Sequence, residues 1–173
     1  KDQSAKIMQQ LASSNPKIKY IENYINLNFG TSVLRGMLMA EKDYVIFNAM
    51  DLPLNPSLIP DYLSIMKKEK ADVLVLEREG YQTTKWRKVT SNVNHIMLCV
   101  LFPKLVKNTP VLNYVQIYKT DKLKGILPIA RSPIFVWPEL IFRAKLKEDY
   151  LVKNLKAPCQ VNNLRKGAFG KPH

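Results

Sequence analysis

Hydrophobic positions along this chain follow two alternating spacings. Five stretches place apolar residues three or four positions apart, which predicts amphipathic helices. They occupy residues 3–14, 31–41, 57–69, 91–106 and 138–147. The segments between them predict strands at residues 17–22, 44–48, 71–79 and 114–119. Strands 44–48 and 71–79 are continuously apolar in the middle, which is typical of strands buried on both faces.

This alternation indicates an α/β fold, in which a mainly parallel sheet is covered by helices on both faces. Each helix must then turn its apolar stripe towards the sheet. On the helix at 91–106 we expect five residues to face inward: Val93, Ile96, Met97, Val100 and Leu101. The chain has 173 residues, which is long enough for one domain with a sizeable core. The last residues, LRKGAFGKPH, read as a basic loop or lid.

Composition narrows the class of protein without choosing a function. Hydrophobic residues make up 46% of the chain, which favours a globular protein over a disordered one. No apolar run approaches the ~20 residues that a membrane-spanning helix needs, and no secretory signal is visible. Cys99 and Cys159 are too few for a disulfide framework or a zinc site, which favours a reducing, cytoplasmic compartment.

The net charge of +13 indicates an anionic partner. Nucleic acid, acidic lipid and phosphorylated substrates all satisfy this condition. The lysines are spread along the chain, and aromatic residues do not alternate with them as in a base-stacking surface. Charge alone therefore leaves the three kinds of partner open.

The segment DYVIFNAMDLPLNP, residues 43–56, combines a buried strand with an acid just beyond its end, Asp51. In an open parallel sheet, ligands bind beyond the carboxyl ends of the strands. Asp51 is therefore a candidate ligand-binding residue. An equally good interpretation is that Asp51 only caps the helix that follows.

The longer stretch NFGTSVLRGMLMAEKDYVIFNAMDLPLNPSLIP resembles the nucleotide-sugar core of inverting family-two glycosyltransferases with the GT-A fold. It is most similar to the dolichol-phosphate mannose synthase-like branch. The matching residues are Asn28, Gly30, Gly36, Ala40, Asp51, Leu52 and Pro56. The resemblance implies a nucleotide-sugar-binding half at 1–90 and an acceptor-side half with a basic tail at 91–173. Within it, Asn28, Gly30, Asp51 and Arg78 would bind the donor.

The same resemblance implies a divalent cation, Mg²⁺ or Mn²⁺, held against the donor diphosphate. The family's paired acids would fall at Ala49 and Asp51, so that Asp51 is the only metal-binding acid left. The diphosphate and water would supply the other ligands, and the cation would bind weakly. The family's first strand and helix would precede Lys1. The chain therefore reads as a fragment or as a degenerate relative.

Arg78 and four further residues match functional positions of the family. Arg78 and Glu139 would be catalytic, Arg78 as a bidentate partner of the diphosphate. An ion pair of Arg78 with Glu77 or Glu79 is the competing interpretation. Glu139 would either be an acid stabilised at the start of a helix or orient the acceptor. Arg87, Arg165 and Lys171 would bind the acceptor phosphate, although charged residues of this kind are more often simply solvated. His95 is expected to be structural.

Three functions remain, in order of preference. The first is transfer of a sugar from a nucleotide-sugar donor to a polyprenyl phosphate or other membrane-associated acceptor. The basic charge would then hold a cytoplasmic protein at an anionic membrane. The second is a catalytically degenerate relative that binds a partner, as Ala49 suggests. The third, a basic nucleic-acid-binding module, rests on charge alone, and we expect no nucleic-acid partner.

Overall fold

The computed structural model describes residues 3–48, 54–79, 85–106, 109, 115–130 and 132–158. Helices and strands alternate over most of these ranges, as the spacing of apolar residues predicts. The helices are α1 (Ser4–Ser14), α2 (Asn28–Leu38), α3 (Ile59–Lys68), α4 (Lys85–Leu101), α5 (Pro103–Val106), α6 (Thr120–Lys124) and α7 (Pro133–Lys145). The strands are β1 (Tyr44–Ile46), β2 (Val73–Glu79), β3 (Gln116–Lys119) and β4 (Val152–Pro158). A 3₁₀ turn at Pro56–Leu58 leads into α3.

The four strands form one sheet in the order β1-β3-β2-β4. Strand β4 pairs in parallel with β2, whereas β3 is antiparallel to both of its neighbours. Strands β1, β2 and β4 therefore share one direction, which brings their carboxyl ends to the same edge of the sheet. We call this edge the carboxyl edge.

Strand β2 separates two apolar cores. Val73 and Val75 join a cluster with residues of α2, α4, α5, α6 and α7. Leu74 and Leu76 point the other way and pack with α3 residues such as Met66. Successive side chains of a strand point to opposite faces, so a strand that is buried on both faces must be continuously apolar. This confirms the predicted α/β fold with helices on both sides of the sheet. The sheet is mixed, because β3 is antiparallel to β1 and β2 while β2 and β4 are parallel.

A buried carboxylate ties three strands together at the opposite edge of the sheet. Asp72 accepts hydrogen bonds from the Lys119 ammonium at 2.8 Å and from the backbone N–H of Leu151 at 2.9 Å. Burial would raise the pKa of Asp72. The two hydrogen bonds and the charge of Lys119 outweigh it, so the pKa is lowered. Asp72 therefore links the start of β2 to the end of β3 and to the start of β4.

The expected orientation of the helix at 91–106 is wrong. Pro103 follows the end of α4, and a separate short helix, α5, begins there. Among the α4 side chains that the structure describes, Leu98 is buried, whereas the five residues expected inside are exposed, Ile96 at 61% and Val100 at 74%. The helical spacing identified the apolar face correctly. It could not show that this face points away from the sheet.

Three other expectations differ from the structure. Residues 17–22 are not a strand, because no described strand pairs with them. Helix α7 begins at Pro133, five residues earlier than predicted, and includes Pro138. Strand β4 was not predicted, because its polar residues, Lys153, Asn154 and Lys156, hide the apolar positions of an edge strand.

Candidate functional site

The carboxyl edge brings several of the predicted site residues towards one another. Strand β1 ends just before Asn48, and Arg78 lies near the end of β2, opposite Ala157 of β4. Helix α2 runs back across the sheet from Asn28 to the residues before β1. Asn28 and Gly30 therefore lie near the end of β1. The donor-binding role of these residues stays a prediction.

Three aromatic rings show how close these elements come. Phe29 of α2 contacts Phe47, which follows β1, with ring centroids 6.0 Å apart. Trp137 of α7 lies 4.6 Å from Phe47 and 6.0 Å from Phe29 by the same measure. The three rings join the start of α2, the end of β1 and the middle of α7. They form an apolar wall beside the carboxyl edge.

The side chain of Asn48 links the two residues on either side of the segment that contains Asp51. Its side-chain amide donates to the carbonyl oxygen of Leu54 at 3.1 Å and accepts from the Leu54 N–H at 3.4 Å. Leu54 is itself buried in the core beneath α3. The side chain thus links the two described residues that flank 49–53. This role was not predicted from the sequence, although an amide just beyond an apolar strand is a recognisable signal.

Asp51 and Ala49 themselves lie outside the described residues, as do Arg165 and Lys171. For Arg78 and Arg87 the structure describes the backbone but not the side chain. Among the described residues, no group of three or more His, Cys, Asp or Glu side chains is placed to hold a metal ion. The assignment of Asp51 as a metal ligand remains a prediction.

The backbone conformation at Asn28 favours an asparagine at this position. Its φ is 67°, in the left-handed region, where asparagine is enriched several-fold over most residues. Its N–H donates to the side-chain oxygen of Asn26 at 3.0 Å. Asn28 therefore shapes the chain as it enters α2, whether or not it also contacts a donor.

Glu139 lies within α7 and not at the start of a helix, so the predicted helix-terminal role is wrong. Its carboxylate accepts the backbone N–H groups of Ile129 and Ala130, the latter at 2.7 Å, and the Arg143 guanidinium, also at 2.7 Å. Burial would raise the pKa of Glu139, but these donors outweigh burial and lower it. The carboxylate is thus held ionised and engaged, and it fixes the backbone at 129–130.

His95 is exposed and not part of the core, with its Nε2 3.6 Å from the Sγ of Cys99. This corrects the expected structural role. A lysine-rich cavity of about 560 Å³ includes Lys42, Lys67 and Lys119 in its lining. It lies at the start of β1, on the far side of the sheet from the carboxyl edge, and acids interrupt its positive charge. It is therefore not the predicted donor site.

The exposed side of α4 is a continuous apolar surface. We define the α4 apolar face as Trp86, Val89, Val93, Ile96 and Val100, all of which are more than half exposed. Lys85, Arg87 and Lys88 belong to the first turn of the same helix. None of the helices in the described ranges is long and apolar enough to cross a membrane.

The sequence model of the family described as Glycosyl transferase family 2 matches residues 1–136. No curated protein sequence matches the chain.

Solved structures of glucosyl-3-phosphoglycerate synthase from Mycobacterium tuberculosis share the fold. A complex with Mn²⁺, UDP-glucose and phosphoglyceric acid has a TM-score of 0.56 at 21% identity, covering 84% of this chain and 49% of that chain. A complex with Mn²⁺, UDP and phosphoglyceric acid has a TM-score of 0.59 at 17% identity, covering 85% and 48%. A complex with Mg²⁺ and UDP has a TM-score of 0.57 at 18% identity, covering 84% and 49%. The present chain thus spans about half of the length of these proteins.

Proposed function

Because the chain belongs to glycosyl transferase family 2, we propose that the protein transfers a sugar from a nucleotide-sugar donor to a polyprenyl phosphate at a membrane surface. The GT-A fold and the carboxyl edge support the donor half of this proposal. The α4 apolar face is the single observation that supports the acceptor half. The proposal also places the chain in the dolichol-phosphate mannose synthase-like branch of the family.

On the donor side, Asp51 would share a divalent cation with the donor diphosphate. Mg²⁺ is commonly bound by one or two carboxylates together with substrate phosphates, and it keeps several waters. Asp51 lies on the segment between Asn48 and Leu54, whose side-chain and backbone groups are hydrogen-bonded to each other. A single carboxylate of this kind suits a cation that is shared with the diphosphate better than one that is bound by protein ligands alone. The structurally similar synthase binds UDP together with Mn²⁺ or Mg²⁺. When bound, the cation would neutralise charge on the leaving diphosphate.

On the acceptor side, no general base is needed if the nucleophile is a phosphate oxygen that is already ionised. This agrees with Glu139, whose oxygens are engaged by two backbone N–H groups and Arg143. A carboxylate with a lowered pKa and three donors is a poor proton acceptor at neutral pH. Glu139 would instead position the backbone at 129–130 beside the acceptor.

The α4 apolar face would lie on the membrane that contains the acceptor. A helix with an apolar face that includes Trp86, and with cations in its first turn, is the pattern of an interfacial helix. Each cation near an anionic surface adds about 1 kcal/mol of attraction. The net charge of +13 acts in the same direction. The protein would therefore dock peripherally at the cytoplasmic face of a membrane.

The test is a transfer assay that separates two classes of acceptor. The protein is incubated with radiolabelled UDP- or GDP-sugars, with Mn²⁺ or a chelator, and with polyprenyl phosphate in anionic vesicles or soluble 3-phosphoglycerate. We expect label to enter the lipid fraction, and only with Mn²⁺. Transfer to phosphoglycerate alone would contradict the lipid acceptor. Nucleoside diphosphate binding without transfer to either acceptor would favour the degenerate relative.

A further inference from the structure

A cavity of about 470 Å³ lies on the face of the sheet between α2 and α7. We call it the α2 cavity. Its lining is contributed by α2, β1 and the residue after it, β3, and α7. The lining residues are Phe29, Ser32, Val33, Gly36, Met37, Val45, Ile46, Phe47, Gln116, Tyr118 and Trp137. A volume of this size lies within the range of small-molecule binding sites.

The cavity has a buried floor and an exposed rim. Gln116, Tyr118 and Trp137 are almost fully buried. Ser32 and Gly36 of α2 are exposed. A Cβ atom placed on Gly36 would have no atom of the protein within 4 Å. The cavity therefore opens along α2, and Gly36 leaves the opening clear.

The chemistry of the lining selects an apolar ligand. None of the lining residues carries a formal charge, and eight of the eleven are apolar or aromatic, with Gly36 adding no polar side chain. The Tyr118 hydroxyl donates to the side-chain oxygen of Gln116, so both of these floor side chains have a hydrogen-bond partner within the protein. Burial raises the pKa of the Tyr118 phenol well above its ordinary value, which keeps the floor neutral. A sugar, a nucleotide or a phosphate would lose hydration here without replacement.

The position of the cavity connects it to the proposed acceptor. Its lining extends along α2 from Phe29 to Met37, about 12 Å at the helical rise per residue. The Phe29 end adjoins Asn28, and Phe47 adjoins Asn48, so this end reaches the carboxyl edge. A ligand in the cavity could thus extend a polar end towards the donor site while its apolar part stays on the sheet.

We propose that the α2 cavity binds the isoprenoid units next to the phosphate of the acceptor. This rests on the proposed function for the identity of the acceptor. The binding of a prenyl chain is a separate property of the protein that can be measured without a donor. The α4 apolar face would hold the protein at the bilayer, while the cavity selects which lipid enters.

The experiment measures binding of a short prenyl chain to the full chain by calorimetric titration. The probes are farnesyl phosphate, farnesol and inorganic phosphate. We expect the two prenyl probes to bind and inorganic phosphate alone not to bind. Gly36→Leu should weaken both prenyl probes by about tenfold or more, because the new side chain fills the opening and displaces apolar contacts.

Thr31→Leu is the matched control. It adds the same side chain to α2 at a position outside the cavity lining. Leucine is also preferred over glycine inside a helix, so Gly36→Leu should remain folded, which circular dichroism checks. Equal affinity for farnesol in the wild type and in Gly36→Leu would overturn the cavity proposal. So would equal weakening by Thr31→Leu.

The transfer assay separates this proposal from the proposed function. If Gly36→Leu abolishes farnesol binding but no donor transfers sugar to a lipid, the cavity proposal stands and the acceptor assignment fails. If sugar reaches the lipid at the same rate in Gly36→Leu and the wild type, the function stands and the cavity proposal fails.

Discussion

At the scale of the residue, several side chains in or near the predicted site hold the backbone in place. Asn48 is hydrogen-bonded to Leu54 across the segment that contains Asp51. Asn28 adopts a left-handed backbone at the start of α2. Glu139 holds the backbone at 129–130. Each of these side chains has a structural role in holding the backbone, which is separate from any contact with a ligand.

Asp51 is testable as the single metal-binding acid. If Asp51 binds the cation, a nucleoside diphosphate should bind more tightly with Mn²⁺ than with a chelator, and Asp51→Ala should remove that difference. Without the cation, carboxylate and diphosphate repel each other. Ala49→Asp should strengthen the dependence on Mn²⁺. Calorimetric titration measures all three proteins, with Asp61→Ala on α3 as a control. If the affinity for the nucleoside diphosphate changes neither with Mn²⁺ nor with Asp51→Ala, Asp51 is only a helix cap.

Glu139→Gln should destabilise the fold by about 1 kcal/mol at neutral pH, because the backbone N–H groups of Ile129 and Ala130 and the Arg143 guanidinium lose a charged acceptor. The folded-state pKa of Glu139 is lowered. Its contribution to stability is therefore complete above the unfolded-state pKa and is lost as the pH falls through the lower folded-state pKa. The difference between the two proteins should shrink below about pH 4. Urea unfolding at several pH values measures it. Exposed Glu148→Gln should change little, and a constant difference at all pH values would argue against the ionised carboxylate.

At the scale of the element, the spacing of apolar residues predicted most helices and strands, because the two kinds of element repeat their faces at different periods. The positions of β1, β2, α2 and α3 follow from it within a few residues. The spacing of apolar residues did not predict strands correctly where strand formation depends on pairing with a neighbouring strand. Residues 17–22 lack a described neighbour in the sheet, and β4 depends on pairing with β2. For the site, the sequence predicted that Arg78 lies at the end of a strand, which the position of Arg78 in β2 confirms. It could not reveal Asn48 or the α2 cavity, since both depend on contacts between distant parts of the chain.

Membrane binding through the α4 apolar face can be tested with a substitution on this one helix. Ile96→Asp places a charge in the middle of this face and should weaken binding to anionic vesicles by about tenfold, because a carboxylate resists transfer to the membrane interface. Ser91→Asp makes the same change in charge on the exposed surface of α4, outside the apolar face. Vesicle co-sedimentation compares the two variants with the wild type. If both variants lose binding equally, charge alone and not the α4 apolar face drives association.

At the scale of the whole molecule, a net charge of +13 should make membrane association depend on salt. The Debye length falls from about 30 Å at 0.01 M salt to about 8 Å at 0.15 M, so attraction from distant lysines is screened first. Binding to anionic vesicles should fall steeply over this range, and neutral vesicles should bind far less. Co-sedimentation with duplex nucleic acid provides the comparison. Preference for the duplex at physiological salt would point to a different class of partner.

The two tryptophans of the chain give each surface an optical reporter. Trp86 on the α4 apolar face is 77% exposed, whereas Trp137 at the α2 cavity is 5% exposed. An indole in water emits at longer wavelength than a buried one, so the two contributions to the fluorescence spectrum differ. Insertion into vesicles should shift the emission of Trp86 to shorter wavelength, and a prenyl chain in the cavity should alter that of Trp137. With Trp86→Phe and Trp137→Phe, one spectrometer could follow the arrival of the protein at a membrane and the entry of a lipid as separate events in time.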